Sequence, residues 1–123
     1  MLETCPCGSG KSYVACCGRL HNGQPAPTAE ALMRARYSAF AKNDVAYLLR
    51  SWAPETRPST LTLDPTQSWI GLKIEAHDET GPETATVRFT ARWKQENRRG
   101  KVKELSRFRR HANGWVYIDG DVG

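Results

Sequence analysis

Ala85-Thr86-Val87-Arg88-Phe89-Thr90-Ala91-Arg92-Trp93-Lys94 is the stretch that decides the fold. Apolar residues at 85, 87, 89, 91 and 93 alternate without a break with Thr, Arg and Lys, the period-two pattern of a strand with one buried face. A shorter alternation precedes it, with Leu72, Ile74 and Ala76 set against Lys73 and Glu75. Residues Val102 to Arg110 read as a further strand, and Trp115 to Asp119 as the last. Between those two, His111-Ala112-Asn113-Gly114 carries Asn-Gly in a hairpin-like setting. The spacing predicts an antiparallel meander.

Upstream the period lengthens. Thr28, directly after Pro27, is placed to cap a helix whose apolar stripe is Leu32, Met33, Tyr37 and Phe40. Asn43-Asp44 breaks that run and caps a second, short helix carrying Val45, Leu48, Leu49 and Trp52, closed by Pro54. Both stripes read as core packing. Helices first and a meander afterwards give an α+β class, with the helices covering one face of a curved antiparallel sheet.

The 123 residues suffice for one domain with a small appendage. A chain of this size buries roughly two-thirds of its unfolded surface and needs no cross-links. A hydrophobic fraction of 39% with 25% charged residues is a globular profile. No apolar run is long enough to span a bilayer. Met1-Leu2-Glu3-Thr4 has neither a basic start nor an apolar stretch, so no secretory signal is read there and the cytoplasm is the expected compartment. Three zones follow: a cysteine-bearing knuckle over residues 1–20, a linker over 21–27 with Gly23, Pro25 and Pro27, and a main domain over 28–123.

The knuckle holds Cys5-Pro6-Cys7, eight intervening residues, and Cys16-Cys17. In a reducing compartment such a cluster points to metal rather than disulfides. Four thiolates can surround one structural Zn²⁺ at about 2.3 Å each. Pro6 stiffens the first ligand pair, and Gly8-Ser9-Gly10 lets the backbone turn back toward the sulfurs. Lys11 and Arg19 set positive charge beside the cluster, whose net charge of −2 with zinc would lower the formal +5 of the chain to +3. Disulfide pairings among the four cysteines, unliganded buried thiols, and His21 in place of Cys17 remain as alternatives. Gly10-Lys11-Ser12 imitates the end of a phosphate-binding loop, but Cys5 stands where the first glycine is required and no strand precedes it.

Cys5-Pro6-Cys7-Gly8-Ser9-Gly10-Lys11-Ser12-Tyr13 followed by Cys16-Cys17-Gly18 resembles the SEC-C zinc motif, which also forms the tail of the SecA translocation ATPase. The stretch Pro27 to Phe40, Trp69-Ile70-Gly71-Leu72, Glu104-Leu105-Ser106-Arg107-Phe108 and Gly114 to Gly120 resemble the YchJ family. That resemblance implies a main domain similar to the nuclear transport factor 2-like (cystatin-like) fold. It implies a fold and a metal and names no reaction. The SEC-C likeness implies docking of a protein partner through the knuckle, or contact with the ribosome.

From Arg88 to Arg110 the chain carries ten Lys or Arg against two acids, Glu96 and Glu104. On adjacent strands Arg88, Arg92, Lys94, Lys103, Arg107 and Arg109 can share an outer face, and such a face can meet RNA or ribosomal phosphates by charge, or simply be a solvated sheet face. Glu104 and Ser106 share parity with Phe108 and are expected to point inward, toward a conical pocket in which Asp119 and Tyr37 are further candidates. A carboxylate there would serve as acid or base, or pair with a nearby Arg such as Arg36 as a structural bridge. Two functions follow: an interaction module built on a structural zinc knuckle, or a small-ligand-binding or enzymatic domain. No oligomeric state is legible.

Overall fold

The computed structural model describes residues 3–123. Thr28 has extended backbone and its hydroxyl accepts the Ala31 N–H at 3.0 Å, which starts helix α2 (Ala29–Ala41). Before it, a 3₁₀ turn (Tyr13–Ala15) leads into the short helix α1 (Cys17–His21). Asp44 caps α3 (Val45–Arg50) in the same way, accepting from Tyr47 N–H at 3.0 Å. α3 ends at Arg50 rather than running to Trp52, because the chain there is drawn onto the sheet. Ala53 N–H donates to the Tyr117 carbonyl, and Tyr117 N–H donates to that of Ser51.

Four antiparallel strands follow in sequential order: β1 (Gln67–Glu79), β2 (Thr84–Gln95), β3 (Arg98–His111) and β4 (Gly114–Val122). β3 begins four residues before the alternation that starts at Val102. A two-residue turn, Glu96-Asn97, closes the β2–β3 hairpin, with Glu96 in the left-handed region at φ 54°. Few side chains in Gln95–Lys101 are apolar, so no periodic signal marks this half of the hairpin.

Ala85, Val87, Phe89 and Ala91 are buried on the concave face together with Ser106 and Phe108. Leu32, Met33, Ala35, Tyr37 and Ala39 of α2 pack down onto them. Three breaks in register bend the sheet. The third decides which way β4 faces: Arg107 is opposite Asp119 but Phe108 is opposite Tyr117, so Ile118 is an extra residue. Tyr117 therefore points into the core and Asp119, two residues on, points out. Among the described residues no helix is long and apolar enough to cross a membrane.

Candidate metal centre

The first ligand loop folds on itself through Cys5 N–H to the Lys11 carbonyl (2.9 Å) and Gly8 N–H to that of Cys5 (3.3 Å). Gly8 and Gly10 take φ of 82° and 84°, a conformation that strains any residue with a Cβ. The 3₁₀ turn then returns the chain, and α1 starts at Cys17 with its sulfur facing the loop. As a result the sulfurs of Cys5, Cys7, Cys16 and Cys17 all lie within 4.8 Å of one another. Cys7 Sγ and Cys16 Sγ are 3.7 Å apart. A tetrahedron of bonds near 2.3 Å has edges of about 3.8 Å, so the four sulfurs fit one ion. All four cysteines are free, and 3.7 Å is far beyond a disulfide.

Protons on these sulfurs are unevenly held. Contact with Cys17, against burial, pulls Cys7 down to about 4. Contact with Cys7, reinforced by burial, pushes Cys17 well above the usual thiol range, and burial raises Cys16. The direction that matters is shared: a divalent ion entering here has to displace protons from the Cys16–Cys17 side.

The layer behind the sulfurs comes from α2 of the main domain and, at Ser9, from the knuckle itself. Ser38 Oγ, fully buried in α2, lies 3.5 Å from Cys5 Sγ, and Ser9 Oγ lies 3.2 Å from Cys16 Sγ. Arg34 donates from Nη1 to the Cys7 carbonyl (2.9 Å) and from Nε to Glu30 (3.0 Å). Sequence reading missed Arg34 and Ser38, although Glu30, Arg34 and Ser38 recur every four residues on one side of α2. His21 is not among the ligands. Its Nε2–H donates to the Ala35 carbonyl (2.8 Å), leaving Nδ1 to accept from the Tyr13 hydroxyl (2.5 Å). That ring also packs 4.5 Å from Tyr47, and Ala26 is buried, so His21 and Ala26 rest on the domain while residues 22–25 and 27 are exposed.

The remaining site residues separate. Tyr37 and Glu104 line a cavity of about 120 Å³ under α2, walled otherwise by Met33, Phe40, Trp69, Phe89, Ala91 and Val102. Ser106 is buried behind it and donates to Glu104 at 2.6 Å. Asp119 does not belong there: the extra residue in β4 turns it to the outer face, where it accepts from Arg107 Nε at 2.6 Å. Glu104 forms no bridge to Arg36. Arg36 is buried between Trp52 and Tyr117, its guanidinium 5.0 and 4.3 Å from the ring centroids, and Nη1 donates to the Leu48 carbonyl and Ser51 Oγ.

On the outer face the register places Arg88, Arg92 and Lys94 of β2 beside Lys101 and Lys103 of β3, all exposed. Arg107 and Arg109 lie on the same face but are already occupied. Arg107 is bound by Asp119 and Asp121, and Arg109 by both oxygens of Glu55 at 2.7 Å.

Comparison with known proteins agrees with both halves of this picture. The SEC-C motif matches residues 3–19, and the model described as the YchJ middle, nuclear transport factor 2-like domain matches residues 28–120. A UPF0225 protein of Streptomyces coelicolor is 51% identical over 95% of this chain and 94% of its own length. One from Bordetella pertussis is 46% identical over 96% and 92%. A SEC-C motif protein of Rhodopseudomonas palustris, solved in solution, superposes with a TM-score of 0.85 at 31% identity, covering 100% of this chain and 99% of that one. A crystal structure of another, from Psychrobacter arcticus, gives 0.83 at 29% identity, covering 98% and 83%. A sulfur-lined knuckle seated on a helix-covered, curved four-stranded sheet, matched from end to end at these identities, makes the chain a member of the YchJ (UPF0225) family.

Proposed function

We propose that the protein is a macromolecular interaction module whose knuckle is held by one structural zinc ion and docks a protein partner. The observation that carries this reading is the contrast within the knuckle. Its sulfurs converge inward while residues 8–11 and Val14 stay exposed, Val14 at 59%. Four thiolates suit zinc and close its coordination shell, so the ion would hold shape and offer no position to a substrate. An exposed Val on a knuckle that also exposes Lys11 and Arg19 makes a mixed apolar and charged surface of the kind a protein contact can use. Thiolates held for metal also fit a reducing compartment, the cytoplasm.

The test pairs metal analysis with partner capture. Purified, reduced protein is expected to carry about one zinc per chain. Val14→Asp should keep the zinc and lose the partners that the unmodified protein retains. Metal-free protein would end the zinc reading, and an unchanged partner list for Val14→Asp would end the docking reading.

A second reading rests on the cavity at Tyr37 and Glu104. Its roughly 120 Å³ is well below the ~300–1,000 Å³ of ordinary ligand pockets, so it would suit a few atoms, with Glu104 favouring an amine. Small amines that raise the melting temperature of the unmodified protein but not of Glu104→Gln would support it. No shift with any of them would leave the space as a packing void.

A further inference from the structure

The outer face of the sheet carries an arrangement that stability alone does not explain. Lys94 of β2 stands directly opposite Arg99 of β3, and Arg92 directly opposite Lys101. Like charges in such cross-strand positions repel and weaken a sheet. Lys103 follows opposite Thr90, and Arg88 lies on the same face two residues further along β2. These six cations are exposed, and among the described residues none has a carboxylate partner. The other end of β3 is built differently, since Arg107 and Arg109 are matched by Asp119, Asp121 and Glu55. Positive charge thus prevails over one half of one face, where the carboxylate of Glu75 accepts from Thr90 Oγ1 (2.9 Å) and pairs with Lys73 rather than with any of the six.

The helices pack on the opposite, concave side, so nothing among the described residues covers this half. A second copy of the chain is a poor occupant, because the same six cations would meet themselves. Between Arg88 and Lys94 on β2 and between Arg99 and Lys103 on β3, no outward position carries an aromatic side chain. Trp93 has the opposite parity, and its ring lies against Gly100. Trp93 is the one ring at the border of the cations, and a single ring already packed on Gly100 is a poor platform for a run of unpaired bases. Nucleic acid bound here would have its bases already paired and present phosphates alone. Between the two duplex forms, the major groove of B-DNA admits a helix or a two-stranded ribbon rather than a broad sheet face. A-form RNA offers a wide, shallow groove flanked by phosphates. Arg92, Arg99 and Lys101, with Trp93, Gly100 and Ile70, the last at 50% exposure, border a shallow depression of about 320 Å³ beside these cations.

We propose that the β2–β3 half of the outer face binds double-helical RNA through its phosphates, without reading sequence. This inference does not rest on the metal or on the knuckle.

The test uses the full chain and a fluorescently labelled RNA duplex, followed by anisotropy from about 50 to about 200 mM salt. Six phosphate contacts predict a loss of roughly a thousandfold in affinity over that range. Arg92→Glu with Lys101→Glu should weaken binding at least about tenfold and lower the salt slope by about two, one per lost contact. Arg92→Gln with Lys101→Gln should lower the slope equally and guards against misfolding of the reversed pair. Arg107→Gln should leave binding unchanged, since its guanidinium is already engaged. The proposal is overturned by absence of binding at the lowest salt, or by equal affinity in the Gln pair. Equal or tighter binding of a B-DNA duplex, of single-stranded RNA, or of phosphatidylserine vesicles would overturn it as well.

Discussion

Arg36 shows how much a single side chain can depend on its surroundings. It is 3% exposed and has no carboxylate partner among the described residues, yet burial lowers its pKa only to about 10, so it stays charged at neutral pH. Trp52, Tyr117, Ser51 and the Leu48 carbonyl supply what a counter-ion would. Its position was legible, since 36 falls inside the Leu32–Phe40 stripe; that its partners would be aromatic rings was not, because Trp52 and Tyr117 meet only once β4 is in place. Arg36→Ala should lower the unfolding free energy by about 2–4 kcal/mol in urea titration, through the void and the lost cation–π contacts. Gly120 is the complementary case. A Cβ there would overlap the Glu104 carboxylate, so Gly120→Ala should cost about 1–3 kcal/mol. Adding Glu104→Ala should recover part of that loss, a non-additivity that a double-mutant cycle would read. Strictly additive effects would show that the two residues do not press on each other.

At the scale of elements, caps were the most readable signal. Thr28 and Asp44 stand where helices start, and replacing either by Ala should cost about 1 kcal/mol. The long alternation of β2 fixed the concave row Ala85, Val87, Phe89 and Ala91 in the same way. Insertions into the ladder were not readable. A bulge changes parity without changing composition, which is why Asp119 reads as an inward residue and lies outside. The four cysteines could be read as one metal site from spacing and compartment, but the α2 residues behind them depend on how the knuckle docks. A pH experiment probes one long-range tie between elements. Arg109 on β3 holds the Glu55 carboxyl down to about 2, below the ordinary ~4.3. A depressed carboxyl stabilises the fold above its unfolded value, and this contribution fades as pH falls through about 2. Glu55 should therefore still be ionised near pH 4 by carboxyl NMR (half protonation there would disprove the tie), and in Arg109→Gln it should titrate near the ordinary value.

For the whole molecule, the knuckle and the sheet domain are joined in one core. Cys5, Cys7, Cys17 and Leu20 pack in the same buried cluster as Ala29 and Leu32. Arg34, Ser38 and the Ala35 carbonyl tie α2 to the knuckle, and Lys42 holds Glu3 at 2.8 Å. Removing metal with a chelator should lower the melting temperature and raise amide exchange in α1 and α2, while the β2–β3 hairpin stays protected. Exchange confined to residues 5–21 would mean that the coupling stops at the knuckle. Acid should act in the same direction. Raised Cys16 and Cys17 reclaim protons as pH falls, so a competing indicator should register weaker metal retention at lower pH. The shared core also governs how the chain can be shortened. A fragment beginning at Thr28 keeps every strand and all of α2, and by family match looks like a free-standing unit. It would nonetheless bare the flank of α2 on which Cys5, Leu20 and the His21 ring now rest. Such a piece should be sticky and prone to clump, and anyone wishing to study the sheet in isolation would do better to keep the sulfur-bearing cap in place.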